Sequence, residues 1–249
     1  GNALFLEELI RGEVEGRGEA PPETVMAVLQ ARLMRMAPEP RRVLMAASFF
    51  GRTFWARGLW ELLGEPLAEG QLEEILRQLV KDEVIEPQLD SRFPTSAEYR
   101  FRHALVADAA QALVPEAQRP PGHRRVGAWL EQMGESNDEV LARHFQLGQD
   151  LERAAQFHTR AAERLFARGD QQGATRCVEA ALACGVRGEA LSCLRALQSL
   201  LAVWREQVPR ALELGTPVLH ELELGGRLWC WLVGGLIVAN GMKGQQQEA

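Results

Sequence analysis

The residue types that could do chemistry are present, but their spacing does not assemble them. The chain has five histidines, and His144 and His158 stand fourteen positions apart on what read as separate helices. No third ligand follows at a spacing suited to a metal ion. Ser48 has no GxSxG context, so it is not read as a nucleophile. Cys177, Cys184, Cys193 and Cys230 fall in helical patterns, with no CxxC pair and no histidine at ligand spacing. They read as reduced, buried thiols rather than as disulfide partners or metal ligands. No GxxxxGK(S/T) phosphate loop occurs, nor an acidic strand end to hold Mg²⁺. By itself the chain is therefore expected not to hydrolyse ATP and not to be an enzyme. Trp204, Trp229 and Trp231 read first as core residues, although a tryptophan left on a concave face would suit peptide capture. The short run His123-Arg124-Arg125 reads as a solvated helix face.

Composition bounds what must position these residues. Of 249 residues, 46% are hydrophobic and 25% charged, which is globular and not disordered. The formal net charge of -6 argues against an extended nucleic-acid surface, though not against a small local basic patch. Residues 1–11 carry Glu7 and Glu8 where a cationic leader would begin, so no signal peptide is read. The longest apolar run, 228–239, is broken by Gly234 and Gly235 and is shorter than the about 20 residues a bilayer span needs. A cytoplasmic location with no membrane partner is expected. The first residue is Gly1 rather than Met, which leaves two readings open: processing, or a piece of something longer.

The elements read as almost all helix. Residues 22–36 place Val25, Leu29, Leu33 and Met36 on one face, with Pro21 and Pro22 in the approach and first turn. Pro38 and Pro40 punctuate. A second helix over 41–50 buries Val43, Ala47 and Phe50. A third near 55–63 stops at Gly64, and a fourth carries the stripe Leu72, Ile75, Leu76, Leu79 and Val80. The period then changes. Residues 84–89 are short and apolar, 90–96 form a turn-rich loop with Pro94, and 98–102 alternate, with Tyr99 and Phe101 opposite Arg100 and Arg102. Two strands around a loop predict a β-hairpin, and three helices followed by a hairpin predict a winged helix at about 40–103. Beyond His103 the stripe Leu105, Val106, Ala109, Ala110 and Leu113 is helical again. Pro115, Pro120 and Pro121 interrupt it, and helices are expected near 124–133, 138–147 and 151–168, the second with an N-cap in the run 135–138.

The last hundred residues repeat. The segment 169–174 resembles 244–249, and Ala174, Val178, Ala181 and Leu182 map with an offset of 37 onto Ala211, Gly215, Val218 and Leu219. A period near 37 or 38 with small residues at helix crossings predicts stacked helical hairpins. In this register a turn falls near Gly244, and the chain ends as the next hairpin's second helix should start.

Three stretches, in order, resemble one family. Gly1-Asn2-Ala3-Leu4-Phe5-Leu6-Glu7-Glu8-Leu9 is similar to the GNPLFLEEL segment of STAND-class signal-transduction ATPases, P-loop NTPases that include large bacterial regulators fused to Ser/Thr kinase or adenylyl cyclase domains. Pro22-Glu23-Thr24-Val25, Arg41-Arg42-Val43-Leu44, Ala46-Ala47-Ser48 and Gly51-Arg52-Thr53-Phe54 resemble the winged-helix portion that follows. Tyr99-Arg100-Phe101-Arg102-His103-Ala104-Leu105 resembles its F-x-F-x-H-x-L close. The repeats after Leu151 resemble the tetratricopeptide arm that ends many such proteins.

The resemblance implies a mainly α fold, a winged helix with a small β-hairpin followed by α-helical, tetratricopeptide-like repeats. It implies four parts: 1–37, the end of an ATPase lid; 38–114, the winged helix; 115–150, a helical connector; and 151–249, the repeats, truncated. In apoptotic and plant-resistance relatives, a histidine within a Met-His-Asp triplet contacts the ADP β-phosphate and holds the inactive form. His103 occupies that position here, within Arg102-His103-Ala104, and the alternative is a ring bonded to backbone where a strand meets a helix. Gly1, Asn2 and Ala3 would lie near the nucleotide base, with Ala3 replacing the family's proline. The alternative there is the plain start of a helix. No cofactor is expected on this chain itself, and ATP or ADP with Mg²⁺ is expected in the parent protein. The implied partners are the upstream ATPase core and a protein or peptide on the repeats. DNA contact is disfavoured because the third helix of the winged helix offers Glu69, Glu73, Glu74, Asp82 and Glu83 against Arg77 and Lys81. Two other readings remain: a DNA-binding transcriptional regulator of the same family, and a standalone helical-repeat adaptor.

Overall fold

The structure, a computed structural model, describes residues 25–64 and 70–248. The chain is mainly α-helical with one small three-stranded sheet. It divides into two compact units, Gly1–Met133 and Gly134–Ala249. The division falls inside the stretch read as a connector.

In the first unit, α1 (Val25–Arg35) and α2 (Pro38–Ser48) both pack on α5 (Ala104–Ala112). Leu29 and Leu33 of α1 and Val43, Leu44 and Ala47 of α2 are buried, at about 1.5–3 kcal/mol for each fully buried large aliphatic. Pro38 marks the break between α1 and α2 as expected, but Pro38 and Pro40 lie inside the first turn of α2, which starts earlier than the sequence suggested; a missing N–H goes unneeded there and the fixed φ already suits a helix. The same correction holds for Pro120 and Pro121. They sit in the opening turn of α6 (Arg119–Gln132), which starts earlier than the sequence suggested.

The expected hairpin is one edge of a larger sheet. Strand β1 (Thr53–Trp55) pairs with β3 (Glu98–Phe101), which pairs with β2 (Ile85–Pro87), all antiparallel, in the order β1-β3-β2. Trp55, read as helical, belongs to β1. Phe54 stacks on Tyr99 at 5.8 Å and tilts against Phe101 at 5.3 Å. The alternation read at 98–102 is present: Phe101 is fully buried, while Arg100 turns the other way and pairs with Glu86 across the strands, Nε donating at 2.8 Å.

Between β1 and β2 lie α3 (Ala56–Leu63) and α4 (Gln71–Lys81). Gly64 closes α3 at φ 72°, a left-handed turn that glycine enters without a Cβ clash. The carbonyls left over at that end are taken by arginines: Arg42 donates to the Leu63 oxygen at 2.9 Å and Arg125 to the Leu62 oxygen at 3.2 Å. Helix α4 buries Leu72, Ile75, Leu76 and Leu79 as its stripe requires. The loop before β3 is pinned by Glu98, whose carboxylate accepts from Trp55 Nε1 at 2.9 Å and from the Arg92 N–H at 2.7 Å. Phe93 of this loop is buried against Trp55 and against Trp129 of α6.

Of the run His123-Arg124-Arg125, the two arginines are exposed as a solvated face would be, and His123 is not. His123 is buried edge-on against Phe49 at 5.1 Å, while the exposed Arg125 reaches back to the Leu62 carbonyl of α3. Gly122 makes that approach possible, since a Cβ there would lie 2.3 Å from the Phe49 ring.

The second unit is a run of antiparallel helices: α7 (Asp138–Leu147), α8 (Leu151–Ala167), α9 (Gln171–Ala183), α10 (Glu189–Trp204), α11 (Val208–Val218) and α12 (Arg227–Glu248). Side-chain caps start three of them. Asn137 accepts from the Glu139 N–H, Asp150 from Arg153 and Asp170 from Gly173. Asp138, at the buried start of α7, is held between Arg164 at 2.8 Å and Arg160 at 3.3 Å.

Helices α8, α10 and α12 begin at 151, 189 and 227, a constant spacing of 38, and α9 and α11 begin at 171 and 208. The residues that map onto each other in sequence lie on equivalent faces: Ala174, Val178 and Ala181 of α9 and Ala211, Gly215 and Val218 of α11 are all buried. Small residues set how closely the helices meet. A Cβ on Gly215 would fall 2.4 Å from Ser199 Oγ and 2.9 Å from Leu232. Ser199, fully buried, donates to the Ala211 carbonyl at 2.7 Å. One expectation fails here. The turn near Gly244 does not form, and α12 runs on through Glu248. Gln245 stands where Asp170 caps α9, and its longer side chain is not of the preferred capping type.

Candidate functional site

His103 sits at the junction of β3 and α5, as the N-cap residue of α5 in an extended conformation (φ -125°, ψ 131°). It is half-buried, its carbonyl accepts from the Val106 N–H at 3.0 Å, and its imidazole makes no capping hydrogen bond. The strand fixes it from one side: the Phe101 N–H reaches the Arg52 carbonyl, and the Arg102 N–H the Val84 carbonyl. Arg102 also pairs with Glu83 at 2.8 Å. The backbone at this corner is therefore held while the ring is left available to a partner. Gly1, Asn2 and Ala3 lie outside the described residues.

The thiols and the other histidines do not converge on a centre. All four cysteines are free. Cys177 is buried, and burial, with Glu139 adding to it, pushes its thiol up to about 11. Burial raises Cys184 and Cys193 as well. A thiol so raised is a poor nucleophile, which needs the thiolate. Cys230 departs from expectation: it is exposed on α12. His144 and His158 are buried on α7 and α8, and His158 Nε2 lies 3.0 Å from Gln146 Oε1. Burial lowers the His158 pKa, so the ring is neutral near pH 7. No group of three or more metal-ligating side chains occurs among the described residues.

Among the described residues, small clefts open within each unit. One, of about 220 Å³ between α3 and α6, is lined by Gly58, Leu62, Arg125 and Trp129. Another, of about 120 Å³, lies between α9, α10 and α11 and is lined by Thr175, Arg205 and Arg210 among others. The arginines in both are already engaged: Arg125 with the Leu62 carbonyl, Arg205 with Thr175 Oγ1 at 2.8 Å, and Arg210 with Glu213 at 2.9 Å.

The tryptophans of the second unit are not core residues. Trp204 is 66% exposed. Trp231 is half-buried against Phe166 at 5.4 Å, with Arg227 over its ring, and Trp229 is half-buried too. Sequence reading also missed the exposed Ile237 and Val238 of α12. Helix α12 has apolar residues all round, a pattern that reads as buried and gives no warning of an open face.

The surface of α4 bears on nucleic acid. Glu73, Glu74, Asp82 and Glu83 are exposed there with Arg77 and Lys81, and Arg77 is paired with Glu74, while Glu69 lies outside the described residues. No helix of the described residues is long and apolar enough to cross a membrane. Comparison with protein-family models, curated proteins and solved structures finds no match to this chain.

Proposed function

We propose that this chain is the regulatory and protein-interaction portion of a nucleotide-switched signal-transduction ATPase of the STAND class. Residues 38–114 serve as its winged helix, and 151–249 as a tetratricopeptide-like arm. The element order α2, β1, α3, α4, β2, β3 and the sheet order β1-β3-β2 support the first part. The 38-residue spacing of α8, α10 and α12 supports the second. The observation that carries the functional reading is His103, held by its backbone at the end of β3 with its imidazole uncommitted to the helix it caps.

In this reading the arm binds a protein or peptide, and the winged helix passes the arm's state to the nucleotide site. ATP or ADP with Mg²⁺ would be held by a phosphate loop and an acidic strand end on the ATPase core. The part assigned to this chain is one imidazole N–H offered to a phosphate oxygen in the closed arrangement and withdrawn in the open one, with no catalytic step. Such a contact biases a switch only through its difference between the two states. The acidic surface of α4 favours this reading over a DNA-binding regulator, because duplex phosphates would meet like charge there. Sequencing the gene upstream of Gly1 tests the proposal. A GxxxxGK(S/T) loop supports it, whereas a start codon immediately before Gly1 contradicts it and favours a standalone adaptor.

A further inference from the structure

Two arginines from different elements line the cleft between α9, α10 and α11. Arg205 stands just past the end of α10, and Arg210 lies in α11. The other charged side chain on the cleft is Glu179 of α9. Two arginines against one glutamate leave the cleft net positive, on a chain whose formal net charge is -6.

Arg205 is set in place before any ligand arrives. Its backbone N–H donates to the Ala202 carbonyl at 3.1 Å, as does that of Gln207 at 2.9 Å, which fixes the turn. Its guanidinium donates through Nη2 to Thr175 Oγ1 at 2.8 Å, and that hydroxyl donates in turn to the Gln171 carbonyl at 2.7 Å. A guanidinium carries further donors beyond the one this bond uses. Holding a long side chain in advance lowers the entropic cost of binding. Arg210 pairs with Glu213 at 2.9 Å, but both are exposed and sit one turn apart on the same helix. Such a pair contributes little and yields to a more highly charged anion. Val178, Leu201 and Leu214 supply a buried apolar lining, and low-dielectric walls concentrate the field of nearby charges.

We infer that this cleft binds a phosphate group, either as the free ion or as a monoester. A phosphate monoester carries a charge of about -1.5 to -2 near pH 7 and offers several acceptor oxygens, enough for both guanidiniums. Arginine also meets two phosphate oxygens at once through its planar fork. Glu179 opposes every anion, so a doubly charged one that engages both arginines is favoured over a single carboxylate. The volume of about 120 Å³ is below the about 300–1,000 Å³ of clefts that enclose a drug-sized ligand. The cleft therefore takes the phosphate group and leaves whatever carries it outside. This inference does not depend on the nucleotide-switch reading.

The test titrates the full chain with inorganic phosphate by calorimetry, in chloride buffer at fixed ionic strength. Saturable one-to-one binding is expected. Arg210→Gln should weaken it at least tenfold, as should Arg205→Gln, through loss of hydrogen bonds to a charged group. Among the described residues Arg210 pairs only within its own helix, so the Arg210 variant keeps the fold even if the Arg205 variant does not. Glu179→Gln should tighten binding severalfold by removing the opposing charge. Arg195→Gln, which removes an exposed arginine of α10 outside the cleft, should leave binding unchanged. A tripeptide with a central phosphoserine distinguishes the two sources. Binding at least as tight as that of inorganic phosphate supports a phosphorylated partner, and weaker binding supports the free ion. No saturable binding, or equal weakening by Arg210→Gln and Arg195→Gln, overturns the site.

Discussion

His158 is the titratable residue whose surroundings most plainly write a pH dependence into the chain. It is buried on α8, its Nε2 faces Gln146, and its Nδ1 is buried without a hydrogen-bond partner. Burial lowers its pKa, against a weaker upward pull from Glu139. The folded chain therefore takes up the proton less readily than the unfolded one, whose histidine titrates near about 6.5. Stability is fully present above that value and falls as pH drops through it towards the lower folded pKa. Denaturant midpoints measured from pH 7.5 down to 5 should decline for the wild type and decline less for His158→Gln. Parallel curves would remove His158 as the cause. His103 is the contrasting case. Its type was legible only through a resemblance, whereas its position, at a corner where β3 becomes α5 with the ring left out of the cap, required the fold.

At the scale of elements, close approach decides. Gly122 brings α6 against Phe49, and a methyl there would need the buried ring to move. Gly122→Ala should cost about 1–3 kcal/mol, read as a lowered denaturation midpoint. An unchanged midpoint would mean that α6 shifts at no cost. The turn between α10 and α11 offers the opposite case. Glu206 holds a left-handed conformation at φ 57°, where the preceding hairpin has Gly169 at φ 82°. Glu206→Gly should relieve about 1 kcal/mol of backbone strain, partly offset by the greater freedom of glycine when unfolded. A small rise in midpoint checks this, and a fall would contradict it.

These elements also mark what sequence could and could not provide. The stripe of α4 and the stop at Gly64 were legible because both are local patterns. Strand β1 was not, because three residues with Phe54 and Trp55 both buried show no alternation. Pro38 and Pro120 were read as breaks because a proline signals only that a helix does not continue from the N-terminal side. It does not say that one is about to begin. The run of α12 through Gly244 was hidden by a likeness of six residues that lacked the capping aspartate.

For the whole molecule, the sequence pattern predicted a mainly α chain, and the structure has one, in two compact units. The helix repeat found in sequence at an offset of 37 recurs as helix starts 38 and 37 residues apart. The exposure of Trp204, Ile237 and Val238 was not legible, because hydrophobicity alone cannot say which apolar face has a neighbour. The role proposed for the molecule, a sensor arm and a winged helix acting on a nucleotide site, rests on one imidazole. The direct measurement is the rate of fluorescent ADP release from the parent protein carrying its ATPase core, with and without His103→Ala. Loss of a hydrogen bond to a charged phosphate, worth about 1.5–3 kcal/mol, predicts release faster by about tenfold or more. Equal release rates, with the substituted protein still folded, would contradict the account.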